Sequence, residues 1–118
     1  MFITKENLER EIQYVLKQII EKYRPERVYL FGSASAPDAP EVNDLDFLII
    51  KKDVPERGID RIYEVDSLVD RRVPVDMIVY KPDEILERLD MGDPFVKIMV
   101  NKGKLLYGPS ESDKRVVE

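Results

Sequence analysis

The 118 residues contain no cysteine, no histidine and no tryptophan. Without cysteine there are no disulfides, no thiolate nucleophile and no Cys-ligated zinc. Without histidine there is no Ser-His-Asp triad, no HExxH metal site and no imidazole base. Any chemistry must run on carboxylates, hydroxyls, Lys, Arg or Tyr, and any metal must be a hard cation held by oxygen. No apolar run approaches the roughly 20 residues that span a bilayer. The opening residues lack a basic segment backed by an apolar stretch, so no secretory leader is expected and the cytoplasm is the expected compartment. Asp and Glu number 24 against 19 Lys and Arg, a net charge of -5. Binding to nucleic acid leans on Lys and Arg neutralising phosphates, so no direct contact with it is expected.

What the chain does have is a balanced globular composition, 43% apolar and 36% charged. That is too apolar for disorder and suits a single domain. Leu8, Ile12, Val15, Leu16, Ile19, Ile20 and Tyr23 share one face of a 3.6-residue period, predicting a helix over 8–23 with Thr4 as its cap and Pro25 as its stop. Strand-forming runs follow at 28–31, 45–50, 73–80 and 104–107. Between them lie an amphipathic helix marked by Ile59, Ile62, Val65 and Val69 and ending near Arg71-Arg72, and a short one begun by Pro82. A further helix is capped by Asp93 and halted by Gly103. The prediction is an α/β fold, a small mixed sheet of three or four strands covered by helices. Residues 1–108 are expected to form the domain and 109–118 a mobile charged tail.

The strand at 45–50 opens on Asn43-Asp44-Leu45-Asp46 and then reads Phe47-Leu48-Ile49-Ile50. Aspartate is a poor strand residue, yet two of them enter what otherwise reads as a central strand covered on both faces. Residues two apart share a face, so Asp44 and Asp46 point the same way at about 6.7 Å, with Leu45 and Phe47 anchoring the other face. Their repulsion calls for a proton or a cation between them. Asp76 stands in the same situation inside Val75-Asp76-Met77-Ile78. If the two strands are neighbours, the three acids form an oxygen site suited to magnesium, whose octahedron phosphates and waters complete. The plainer alternative is that these aspartates cap turns or pair with Arg71, Arg72 or Lys81. Gly32-Ser33 directly follows a strand, where free amides and a hydroxyl can hold terminal phosphates; the GxxxxGK[ST] loop is absent.

These features resemble the nucleotidyltransferase superfamily of DNA polymerase beta type, in its minimal single-domain form. In that pattern a strand ends in Gly-Ser, ten residues intervene, and Asp-x-Asp opens the next strand; here Gly32-Ser33, residues 34–43 and Asp44-Leu45-Asp46 follow suit. The third carboxylate of the family matches Asp76. The resemblance implies Mg2+-dependent transfer of a nucleoside monophosphate, AMP from ATP, with release of pyrophosphate. Asp44 and Asp46 would hold metals, Asp76 would complete the metal site and orient the attacking hydroxyl, and Gly32 and Ser33 would hold the β and γ phosphates. Minimal members resemble the antitoxin half of a toxin-antitoxin pair, whose partner is a helical HEPN-type ribonuclease; the implied acceptor is a tyrosine of that toxin.

One departure matters. The family's Gly-Ser-x-Ala-Arg-Gly reads Ser35, Ala36 and Pro37 at its last three positions. A bidentate guanidinium is therefore missing, and Ser35 is expected to return one hydrogen bond to the phosphates but no charge. Three other outcomes stay open at this level: a small-molecule or RNA-end acceptor, a non-catalytic nucleotide-binding subunit that inhibits a partner by occlusion, and a domain whose acids only cap strands. A homo-oligomer is also compatible with the sequence.

Overall fold

The computed structural model describes residues 3–36 and 42–109. Pro37 and, apart from Pro109, the segment expected to be a mobile tail lie outside them.

Thr4 caps α1 (Lys5–Gln18) by accepting from the Asn7 amide, and the chain then widens into one π turn over Ile19–Tyr23. Arg24, in the left-handed region at φ 58°, turns it into β1 (Arg27–Phe31). A short 3-10 turn, Gly32–Ser35, follows at once, and β2 (Leu45–Ile50) returns antiparallel to β1. The helix α2 (Gly58–Leu68) crosses over to β3 (Val75–Tyr80), which pairs parallel to β2. Two nine-residue helices, α3 (Pro82–Asp90) and α4 (Pro94–Lys102), lead to β4 (Lys104–Tyr107), antiparallel to β1. The spatial order is β3-β2-β1-β4, a mixed four-stranded sheet covered by helices, as the sequence predicts. No helix among the described residues is long and apolar enough to cross a membrane.

Alternation along the strands sorts the side chains into two cores. Val28, Leu30, Leu45, Phe47, Ile49, Met77 and Val79 pack with Ile12, Val15, Leu16 and Val65 of α1 and α2. Tyr29, Leu48 and Ile50 pack on the other face with Ile85, Val96 and Met99 of α3 and α4. In β2 every residue except Asp46 is fully buried, at roughly 1.5–3 kcal/mol for each large side chain removed from water. That is the central strand foreseen above.

Three expectations change. The second helix ends at Leu68 rather than near Arg71-Arg72, and Pro74 supplies only its carbonyl, to the Leu45 amide, so β3 starts at Val75. The face that α2 buries is also rotated: Val65 and Arg61 are inside, while Ile59 is exposed. Burial of Arg61 is possible because its guanidinium makes two bonds to Glu84, at 2.6 and 3.1 Å, and donates to the carbonyls of Pro55, Glu56 and Val79. A buried charge needs such saturation.

β3 is an edge of the sheet. The carbonyls of Pro74 and Tyr80 face β2, so those of Val75, Met77 and Val79 face outward. Arg71 donates to the Val75 carbonyl and Arg61 to that of Val79, each at 3.2 Å.

Candidate active site

The three aspartates fall on the α3/α4 face, at the end of the sheet where β2 and β3 begin. Asp46 is aligned with Phe31 on one side and Asp76 on the other, and Asp44 is two residues upstream on the same face. One carboxylate oxygen from each lies within 4.8 Å of the others, Asp44 and Asp46 half-buried and Asp76 exposed. Burial pushes the Asp46 carboxyl up to about 6, and the charges of Asp44 and Asp76 add to the effect. Asp46 also shares a hydrogen bond with Asp76, which favours a proton on the pair.

None of the three aspartates has Arg71, Arg72 or Lys81 as an ion-pair partner among the described residues. Arg71 pairs with Asp66, Arg72 with Glu11 at 3.0 Å while lying over the Tyr14 ring, and Lys81 with Glu56 at 2.6 Å. A cluster of hard oxygen donors that repel one another, with none of these three basic side chains paired to it, fits a divalent cation of the magnesium type.

Gly32 is placed by this cluster. Its φ of +73° lies in the left-handed region, and a Cβ there would collide with an Asp46 carboxylate oxygen. Only glycine lets the backbone after β1 pass so close to the acid. Ser33, exposed, follows in the turn. The Ser35 hydroxyl donates to the Gly32 carbonyl at 2.8 Å and thus closes the turn itself. Ser35 and Ala36 border a separate hollow of about 290 Å³ against α1.

Beside the acids runs a cleft of about 580 Å³. Its lining includes Asp46 and Asp76, Phe31 and Phe95, and Ile62 and Tyr63 of α2. Phe95 stands edge-on to Phe31 with centroids 6.3 Å apart, so its ring is oriented although it is exposed. Sequence reading missed Tyr63 and Phe95. Their signal was faint: one aromatic among charged residues on a helix, and one directly after a capping Asp-Pro.

Two aspartates on the adjacent strands β2 and β3, a third just before β2 and a glycine turn beside them give this small mixed sheet a site suited to a divalent cation. The profile of the family described as "Polymerase beta, Nucleotidyltransferase" matches residues 15–112, and the chain belongs to that family. Its fold is similar to the crystal structure of a candidate nucleotidyltransferase from Sulfolobus solfataricus, with 27% identity and a TM-score of 0.60 over 87% of this chain and 85% of that one. Comparison with curated proteins gives no significant match. Family and acid cluster together support nucleotidyltransferase activity.

Proposed function

We propose that this domain, residues 1–108, uses Mg2+ and ATP to transfer AMP to a hydroxyl, the tyrosine of a HEPN-type toxin, and so acts as the antitoxin of a cytoplasmic pair. The observation that carries the transferase reading is the convergence of Asp44, Asp46 and Asp76 within 4.8 Å, beside a turn that only Gly32 allows. A divalent ion held there would neutralise charge on the triphosphate during transfer. Gly32 and Ser33 bind the β and γ phosphates through the turn. Asp44 and Asp46 hold the metal-binding position. Asp76, the most exposed of the three, orients the acceptor hydroxyl and takes its proton. The acceptor oxygen attacks the α-phosphorus, the bond to the bridging oxygen breaks, and pyrophosphate leaves with that electron pair. Catalysis is then alignment and charge neutralisation, which suits a chain without histidine or cysteine.

Incubation with Mg2+, labelled ATP and the product of the neighbouring gene tests the proposal: label on that protein is expected, and none after Asp44→Asn. A second reading rests on Ala36 at the position of the family arginine. Without that guanidinium the domain binds nucleotide and occludes its partner; retained ATP binding with no label on any acceptor would favour it.

A further inference from the structure

Under the function proposed above, on which this inference rests, the β and γ phosphates lie at the Gly32-Ser33 turn and the α-phosphorus at the acids. The sugar and base must then occupy what remains of the cleft beside them. Phe31, Asp46 and Asp76 stand side by side in register across β1, β2 and β3. Apart from these two aspartates, the described cleft residues on the α3/α4 face are Phe31, Ile78 and Phe95, none with a hydrogen-bonding side chain. Phe95 is 52% exposed, yet Phe31 pins it, with centroids 6.3 Å apart and ring planes at 74°. An edge-on contact covers at most one face of the Phe95 ring and leaves the other to a ligand. The start of α4 offers nothing to a phosphate. Asp93 Oδ1 accepts from the amides of Phe95 and Val96, at 3.0 and 3.4 Å, and the Asp93 carbonyl takes the Lys97 amide. With those donors taken and a carboxylate at its tip, this helix end disfavours an anion. An exposed aromatic ring is what it presents to the cleft.

We propose that Phe95 is the base-stacking residue of the nucleotide site, and that it selects a nucleotide by the size of its base rather than by its identity. Every nucleobase has a flat π-face that stacks on an aromatic side chain. Because Phe31 orients the ring before the nucleotide arrives, little ordering cost is left for binding. Telling one base edge from another needs donors and acceptors placed against it. Phe31, Ile78 and Phe95 supply none, and Asp46 and Asp76 belong to the cation site. Adenine and guanine, both two-ring bases, are therefore held alike, and a one-ring pyrimidine is held less well. The use of ATP proposed above then reflects supply, not discrimination at the base.

Calorimetric titration of the whole chain in Mg2+ tests this, with tripolyphosphate and the α,β-methylene analogues of ATP, GTP and CTP as probes. The two purine analogues should bind within about threefold of each other and about tenfold tighter than tripolyphosphate, with the CTP analogue between. Phe95→Ala should weaken both purine analogues about tenfold and leave tripolyphosphate unchanged, whereas Phe95→Tyr keeps the ring and should preserve all affinities. Phe95→Trp gives the chain its only tryptophan. Its fluorescence should be quenched by the purine analogues and not by tripolyphosphate. Undiminished purine affinity in Phe95→Ala, or a preference above about tenfold between the ATP and GTP analogues, would overturn the assignment. Tripolyphosphate reports separately on the parent reading. If neither it nor any analogue binds with Mg2+, the transferase proposal itself fails. If it binds and a purine adds nothing, only the base subsite is lost.

Discussion

The two ends of β3 treat charge in opposite ways. At its C-terminal end, Arg61 is buried but every direction around it holds an acceptor: both oxygens of Glu84 and three backbone carbonyls. The hydrogen bond from Arg61 holds the Glu84 carboxyl below its usual range. At the N-terminal end, Asp76 sits beside Asp46 with Asp44 close by, and burial, aided by those two charges, pushes Asp46 upward. One end is a finished structural joint between α2, α3 and the sheet. The other is left unbalanced by the chain and completed only by something from outside, which is how a binding site differs electrostatically from a scaffold.

Substitutions should separate the two ends cleanly. Asp44→Asn or Asp46→Asn should lower nucleotidyl transfer by about 10³-fold or more, because the carboxylates act as a unit. Asp46→Asn should at the same time raise the melting temperature of the metal-free protein; a lower one would mean that the acids are structural. Arg61→Ala should do the reverse. It strands Glu84 and three carbonyls and should lose about 3 kcal/mol in urea unfolding, while the folded fraction keeps its nucleotide affinity. Gly32→Ala links backbone to chemistry. The left-handed φ and the collision with Asp46 predict a loss of about 1–2 kcal/mol and weakened Mg2+ binding by calorimetry.

The smallest effect is on pH. Asp46 has its proton held more tightly folded, at about 6, than unfolded, near 3.8. Its contribution therefore favours the fold below pH 4 and is lost as pH rises from about 4 to 6. After allowance for screening of this part-exposed carboxyl, the change is about 1 kcal/mol. Glu84 has the opposite sign: its ion pair stabilises above the usual glutamate range and is lost as pH falls through the lowered value. Melting curves between pH 3 and 8 should show the Asp46 contribution vanish in Asp46→Asn, and added Mg2+ should raise the midpoint chiefly above about pH 6.

Much of this contrast could be read in the sequence, but only at one of the two ends. Period-2 alternation put Asp44 and Asp46 on one face, whereas Asp76 joins them only because β3 pairs beside β2, which the sequence left as a condition. Thr4, Pro82 and Asp93 marked helix starts through local chemistry, and the structure keeps all three. Arg61 and Glu84 gave no such sign. Their partnership spans 23 residues and depends on how α2 rolls against β3, which a helical period places only to within a residue or two. An arginine among Ile59, Ile62 and Val65 reads as solvent-facing until its partners are known. The cleft was hidden for the same reason: Tyr63 and Phe95 come from helices on opposite sides of the sheet.

The arginines along the outer rim of β3 carry a further consequence. A naked sheet margin next to a reaction centre invites zippering with another copy and growth into fibrils. By occupying the outward oxygens of Val75 and Val79, Arg71 and Arg61 act as gatekeepers against such growth.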